Sequence, residues 1–177
     1  ILDANNIYIP TIINSSILES SKFQEKNLKK KIIQTYIINE GYVGILKVNG
    51  KYEKVLNPGK YYFLISVNNI EVTYVDQRNQ VLQISGQELL TKDKVTLRMN
   101  FILTYKIIDS IKAAMAFDKY EEQLYLLMQL ALREYVSTKT LDDLLAEKHE
   151  IGKIILETVK VKEMEFGAIF IEAGLKD

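Results

Sequence analysis

The sequence predicts an α+β fold, an antiparallel β meander covered by helices and closed by a C-terminal strand. Three observations support this class. Apolar residues between positions 31 and 108 recur with a period of two, in runs separated by tight turns. Between positions 109 and 166 the period changes to 3.6. Ala168 to Ala173 then returns to a strand pattern, and strands followed by helices are typical of α+β domains.

The longest alternating run, Lys94 to Ile108, is the centre of the predicted sheet. Its odd-numbered positions are all apolar: Val95, Leu97, Met99, Phe101, Leu103, Tyr105 and Ile107. A strand of this length would extend roughly 50 Å at about 3.3 Å per residue, which predicts a bend or a β-bulge. One face requires an apolar cover, which the following helices can supply, and the other can remain hydrated.

Six shorter strands precede this run, and turn residues separate them. We expect them at 31–38, 42–48, 51–56, 60–67, 70–75 and 81–85. Asn49-Gly50 indicates a two-residue hairpin, because both central residues of a type I′ turn need positive φ. Asn57-Pro58-Gly59 predicts a second turn.

Helix-capping residues define the beginnings and ends of the predicted helices. Asp109 can cap a short helix that ends at Ala116. Capping-box spacing from Asp118 and from Thr140 predicts amphipathic helices over 118–136 and 140–163. Gly167 is suited to the left-handed conformation that ends a helix.

Residues 1–30 carry the weakest pattern, and we interpret them as a connector or as the tail of a preceding module. Ser15 or Ser16 could cap a short helix there. Lys26, Lys29, Lys30 and Lys31 form the densest basic cluster, which we interpret as solvated. The formal net charge is zero, so the sequence does not favour nucleic acid as a partner. No apolar run approaches the roughly 20 residues that cross a bilayer, and no signal peptide is visible.

Catalytic and metal-binding patterns are sparse in the sequence. The chain has no cysteine and one histidine, His149, which lies among polar residues and is predicted to be solvated. Two adjacent carboxylate pairs, Glu121-Glu122 and Asp142-Asp143, fall in the first turns of predicted helices, where capping explains them. A carboxylate-dependent hydrolase stays open as a remote alternative, and no cofactor is predicted.

Several short motifs, taken in order, resemble the SPFH (band 7) domain, the family of stomatin, prohibitin, flotillin and the HflK/HflC proteins. The matching segments are Asn57–Tyr62, Val75–Arg78, Gln87–Val95, Ala131–Glu134 and Thr140–Leu145, followed by Gly167 and a last strand. The resemblance covers about residues 31–177, strand-rich over 31–108 and helix-rich over 109–177. It is greatest to the bacterial slipins, the stomatin-like branch.

This resemblance implies a non-enzymatic protein that forms homo-oligomers at the cytoplasmic side of a membrane, attached peripherally or through segments outside these residues. It implies a scaffold that organises protein assemblies or lipid microdomains, strengthened by a helical segment after the domain. A regulatory subunit that binds a membrane protease is the alternative, and the sequence does not separate the two.

Two groups of residues are candidates for membrane or partner contact. Tyr61, Tyr62 and Phe63 match a segment that lies near the membrane in slipins, although a plain strand whose side chains alternate into the core is the favoured explanation. Leu126 and Leu130 fall outside the main apolar stripe of their predicted helix, so they are candidates for a partner surface.

Overall fold

The computed structural model describes residues 7–8, 33–64 and 68–176. The chain divides into two compact units, the first ending at Asp76 and the second beginning at Gln77. The predicted α+β class is confirmed, with antiparallel sheets and several helices. The predictions for Ser15, Ser16 and the lysine cluster, and the ends of the strands predicted over 31–38 and 60–67, lie outside the described residues.

The described residues of the first unit form six strands in two three-stranded sheets. These are β1 (Ile7–Tyr8), β2 (Ile33–Ile38), β3 (Tyr42–Val48), β4 (Lys51–Leu56), β5 (Gly59–Leu64) and β6 (Ile70–Asp76). Their orders are β1-β5-β2 and β4-β3-β6. The predicted β3–β4 hairpin forms through Asn49 and Gly50, whose φ angles are 50° and 77°.

Strand pairing in the first unit differs from a meander in which consecutive strands are neighbours. Strand β2 pairs with β5 instead of β3, and β1 runs parallel to β5. The reason is a shared core, to which both sheets contribute side chains: Ile38, Leu46, Leu56, Phe63 and Ile70. Gly44 permits this close packing, because a Cβ there would lie 2.8 Å from Ile38 Cδ1.

The second unit is built on one antiparallel sheet, ordered β7-β8-β9. The strands are β7 (Gln80–Leu90), β8 (Thr96–Ile107) and β9 (Ala168–Lys176). The alternation predicted for β8 is confirmed, since Phe101, Leu103 and Tyr105 are at most 2% exposed. The bulge predicted for this long strand lies instead in its neighbours, in β7 between Ile84 and Gln87 and in β9 between Phe170 and Glu172.

Five helices accompany this sheet among the described residues. They are α1 (Ser110–Met115), α2 (Tyr120–Ser137), α3 (Leu141–Ala146), α4 (Ile151–Lys160) and α5 (Glu163–Phe166). Asp109 caps α1, Thr140 caps α3 with a full capping box, and Gly167 ends α5 at φ 62°. These three predictions are confirmed.

Two helix predictions are wrong. The single helix over 140–163 is divided into three, because residues 147–150 are all polar and provide no apolar anchor between Leu144 and Ile151. Asp118 does not cap α2. The N-cap is Lys119, which forms no side-chain capping bond but lies 2.9 Å from Glu122 through its Nζ.

Helices α2 and α4 pack on the sheet and bury the apolar face of β8 beneath them. Their buried side chains are Leu124, Met128, Leu132 and Val136 from α2, and Ile151, Ile155 and Val159 from α4. Gly152 sets the approach of α4 to β9, because an added Cβ would lie 2.2 Å from the carbonyl oxygen of Ala173. No real Cβ tolerates that separation from backbone, so this glycine is required by packing.

We predict that Gly152→Ala lowers the free energy of unfolding by about 2 kcal/mol, the usual cost of overpacking. Gly174→Ala is the matched control, since a Cβ at Gly174 meets nothing within 4 Å. The control should be neutral or stabilising by less than about 1 kcal/mol. Urea unfolding monitored by circular dichroism measures both, and equal stabilities would contradict the packing described.

Candidate functional site

Helix α2 carries an exposed apolar stripe. Leu126 and Leu130 lie one turn apart on the helix and are 47% and 60% exposed. Residues four apart share one face of a helix, so the two side chains are adjacent. We call Leu126 and Leu130 the α2 stripe. Both sequence-predicted partner residues are therefore brought together on the surface.

A shallow depression of about 390 Å³ lies directly beside the α2 stripe. It is lined by Leu82 from β7 and by Glu121, Glu122, Tyr125 and Leu126 from α2. Leu126 thus forms both part of the stripe and part of the depression. The depression therefore combines apolar side chains with the two carboxylates at the start of α2.

A buried polar group beneath this surface fixes the position of α2 on β7. The Gln87 amide donates to the Tyr125 hydroxyl at 2.6 Å, and the Gln129 amide donates to Gln87 Oε1 at 2.7 Å. Gln87 is only 7% exposed, so its hydrogen bonds are costly to break. No sequence pattern singles out Gln87, apart from its place at the start of the Gln87–Val95 motif.

The structure places Tyr61, Tyr62 and Phe63 on β5 in the first unit, in three different environments. Phe63 is completely buried and packs edge-to-face on Tyr36. Tyr61 is half-buried, and its hydroxyl donates to the Asn57 carbonyl at 2.8 Å. Tyr62 is half-buried with the Lys60 ammonium 5.2 Å from its ring centre. Phe63 is therefore a core residue, and only the two tyrosines present area for contact.

The carboxylates considered for a hydrolase do not converge on one site. Glu121 and Glu122 are exposed in the first turn of α2. Asp142 and Asp143 are exposed in the first turn of α3, where Asp143 belongs to the capping box. A hydrolase of this kind needs two acidic groups facing each other across a cleft. The arrangement fits helix capping and removes the hydrolase hypothesis that rested on these four residues.

Carboxylates instead organise the connection between the β7–β8 turn and α3. Asp93 Oδ1 accepts from the Thr91 hydroxyl at 2.6 Å and from the Leu141 amide at 3.3 Å. The Thr91 bond lowers the pKa of the Asp93 carboxyl. Hydrogen bonding from Thr140 likewise lowers the pKa of the Asp143 carboxyl.

The end of α3 is held by a third carboxylate of the same kind. Glu147 accepts from the Lys139 ammonium at 2.7 Å and from the Tyr135 hydroxyl at 2.5 Å. The bond from Lys139 has the larger effect in lowering the pKa of the Glu147 carboxyl, and the bond from Tyr135 lowers it further. Desolvation, followed by the bond to Glu147, raises the pKa of Tyr135 to about 12. Carboxylates therefore form hydrogen bonds at both ends of α3, Asp93 and Asp143 at its start and Glu147 at its end.

A second exposed apolar area lies where α1 meets α5. Val161 and Met164 are about four-fifths exposed, and Ile111 and Met115 project from α1. The Lys112 ammonium donates to the Met164 carbonyl at 2.8 Å and joins the two helices. Nothing among the described residues shows what would cover this area.

The described residues contain neither a membrane-spanning helix nor a metal-binding cluster. None of their helices is both long enough and apolar enough to span a bilayer. Their His, Cys, Asp and Glu side chains form no group of three or more that could hold a metal ion. His149 is exposed in the α3–α4 turn, although a helix was expected there.

The fold and these surfaces define an α+β domain whose candidate site is a contact surface. Residues 36–177 match the SPFH domain / Band 7 family. The chain belongs to this family, as its motifs had indicated.

Several of the curated relatives are stomatins or stomatin homologues. A stomatin homologue of Pyrococcus horikoshii is 29% identical over 72% of this chain and 50% of its own length. Mouse stomatin is 25% identical over 75% of this chain and 50% of its own. An uncharacterised protein of Methanocaldococcus jannaschii is 30% identical over 80% of this chain and 70% of its own length. The chain spans about half the length of the first curated relatives it matches. The bacterial slipin branch stays a prediction.

We predict that acid destabilises the second unit through its capping carboxyls. The pKa of the Asp143 carboxyl is lower in the folded protein than in the unfolded chain. The stabilisation of the fold by this carboxylate is therefore complete above its ordinary pKa of about 3.9, and it is lost as pH falls through the pKa of the folded state. Asp143→Asn should therefore be less stable than wild type at pH 7, and the difference should shrink toward about pH 3.

Thermal unfolding across this pH range measures the effect. Asp142→Asn, an exposed neighbour outside the capping box, is the control and should show a smaller difference that varies less with pH. A difference for Asp143→Asn that stays constant down to about pH 3 would contradict the assignment.

Proposed function

We propose that this chain is a non-catalytic scaffold of the stomatin type, which self-associates through the α2 stripe and organises protein assemblies at a membrane. Membership of the SPFH/band 7 family supports the general role. The single observation that favours α2 as the surface is the exposure of Leu126 and Leu130 beside an apolar depression. The partner in this proposal is a second copy of the chain.

The expected contact between two copies is weak. Complete burial of a leucine side chain is worth about 2 kcal/mol. A two-fold contact would cover Leu126 and Leu130 of both copies, each starting about half exposed, for roughly 4 kcal/mol in all. The loss of translational and rotational freedom costs about 4 kcal/mol or more, so two isolated copies would associate only at high concentration.

Weak contacts suit a scaffold, because many copies held close together multiply them. A second contact made between tethered copies benefits from an effective concentration in the millimolar range. Assembly at a membrane would restrict copies to two dimensions and raise that concentration further. In this proposal the α2 contact orients neighbouring copies, and other segments of the whole protein provide the tethering.

Regulation of a membrane protease is the alternative function. It would use an exposed surface of the same domain to hold a different protein. Purification of the full-length protein from native membranes separates the two functions. Recovery of oligomers without a protease favours the scaffold, and recovery of a protease in fixed stoichiometry favours the regulatory subunit.

We predict that Leu130→Glu weakens self-association at least about tenfold, equivalent to 1.4 kcal/mol, because it places a charge inside the apolar contact. Leu145→Glu is the matched control. Leu145 is 64% exposed on α3, outside the stripe and its depression, so this variant should associate like wild type.

Sedimentation equilibrium of the full-length protein measures the association of wild type and both variants, because tethered copies raise the effective concentration at which the α2 contact forms. Circular dichroism verifies that each variant is folded. Equal association of wild type and Leu130→Glu would remove α2 as the surface. A monomeric wild type at every concentration, both alone and as the full-length protein, would remove self-association itself.

A further inference from the structure

The outer edge of strand β6, in the first unit, is accessible to another extended chain. Strand β6 pairs with β3 along its whole length, and no second strand among residues 7–8, 33–64 and 68–176 pairs with it. Glu71 and Thr73 are exposed on one face of the sheet, and Tyr74 is exposed on the other. The middle of the strand is therefore open from both faces.

Two hydrogen bonds show which backbone groups of β6 point away from β3. The Asn69 carbonyl accepts an N–H from the β3–β4 turn at 2.8 Å, so Asn69 faces β3. The next carbonyl, that of Ile70, faces away and accepts from the Tyr36 hydroxyl of β2 at 3.0 Å. Because the N–H and C=O groups of successive strand residues alternate in direction, those of Val72 and Tyr74 also face away from β3.

Strand β6 lacks the features that usually protect a sheet edge, which are lysine, proline and β-bulges. The opposite edge of the same sheet, β4, carries Lys51 and Lys54 and is bulged at Glu53. Strand β6 has no lysine and no proline, and its register with β3 is unbroken. Its residues from Val72 to Val75 are all of types that favour strands. The edge is therefore suited to pairing with another strand.

The side chains of β6 are complementary to an antiparallel second copy of the strand. With Thr73 on a two-fold axis, the two Thr73 side chains face each other, and Val72 lies opposite Tyr74 of the other copy. Threonine pairs, and pairs of an aromatic with a β-branched side chain, are favourable across strands. Glu71 lies opposite Val75 of the other copy, so no two carboxylates are directly opposed. Val72 and Tyr74 form the hydrogen-bonded pairs, because their backbone groups face outward.

We propose that β6 pairs antiparallel with β6 of a second copy of the chain, with Thr73 on the two-fold axis. The contact lies in the first unit and uses a different surface from the α2 stripe, so it does not depend on the proposed role of α2. One two-fold contact stops assembly at a dimer, because the same patch of both copies is then covered. Two different contacts on each copy allow assembly to continue from copy to copy.

Introduced cysteines test the register, because the chain has no cysteine of its own. Facing residues of a non-hydrogen-bonded pair have Cα atoms about 4.5 Å apart, within the reach of a disulfide. Thr73→Cys should therefore link two copies of the full chain under mild oxidation. Glu71→Cys is the matched control, since it is exposed on the same face. Its two copies would lie roughly 13 Å apart, and it should link at least about tenfold more slowly.

Amide hydrogen exchange provides a second measurement, which needs no substitution. Exchange at Val72 and Tyr74 should slow at least about tenfold as the protein concentration rises, because pairing with a second copy covers these amides. The amides of Glu71 and Thr73 face β3 and should be protected at every concentration. The same pattern is expected in Leu130→Glu, so failure of the α2 contact can be told apart from failure of this one.

Three outcomes would overturn the proposal. Equal rates of cross-linking for Thr73→Cys and Glu71→Cys, in variants that circular dichroism shows to be folded, would mean that copies meet without this register. Faster cross-linking of Glu71→Cys would assign a different register. Exchange at Val72 and Tyr74 that is independent of concentration, in wild type and in Leu130→Glu, would mean that the edge stays unpaired.

Discussion

The alternation of side chains along β8 is the constraint on which the second unit depends. Every second residue from Phe101 to Ile107 is buried, and the strands on both sides pair with β8. A strand with this pattern is stable only if one face is covered by apolar side chains. Helices α2 and α4 supply that cover, and the glutamine–tyrosine group at Gln87 fixes one of them in register.

This requirement determines which surfaces remain available for function. The buried faces of α2 and α4 are used in covering β8, so only their outward faces can meet a partner. On α2 the outward face carries the exposed Leu126 and Leu130, and on α4 it carries the exposed Lys153.

Features set by local chemistry could be predicted from the sequence, and features set by distant contacts could not. The hairpin at Asn49-Gly50, the cap at Thr140 and the helix end at Gly167 depend on a few neighbouring residues. The pairing of β2 with β5 depends on a core shared by two sheets. At the polar run 147–150, where the predicted helix is interrupted, Glu147 bonds to Lys139 and Tyr135, and helical spacing does not show those contacts.

The candidate site shows the same limit. Helical spacing identified Leu126 and Leu130 as lying outside the main stripe, and both are exposed. Spacing alone could not distinguish Phe63 from the adjacent tyrosines, because burial on β5 depends on the opposing sheet. The contact of Gly152 with Ala173 had no sequence signal, since it depends on the strand order that places β9 beneath α4.

Residue-resolved amide hydrogen exchange on the native protein tests most directly whether β8 holds the second unit together. The amides of β8 from Phe101 to Tyr105 are expected to be the slowest to exchange in this unit, opening only with its global unfolding. Exchange at β8 as fast as at the exposed end of β9, or loss of α2 protection while β8 remains fully protected, would contradict this account.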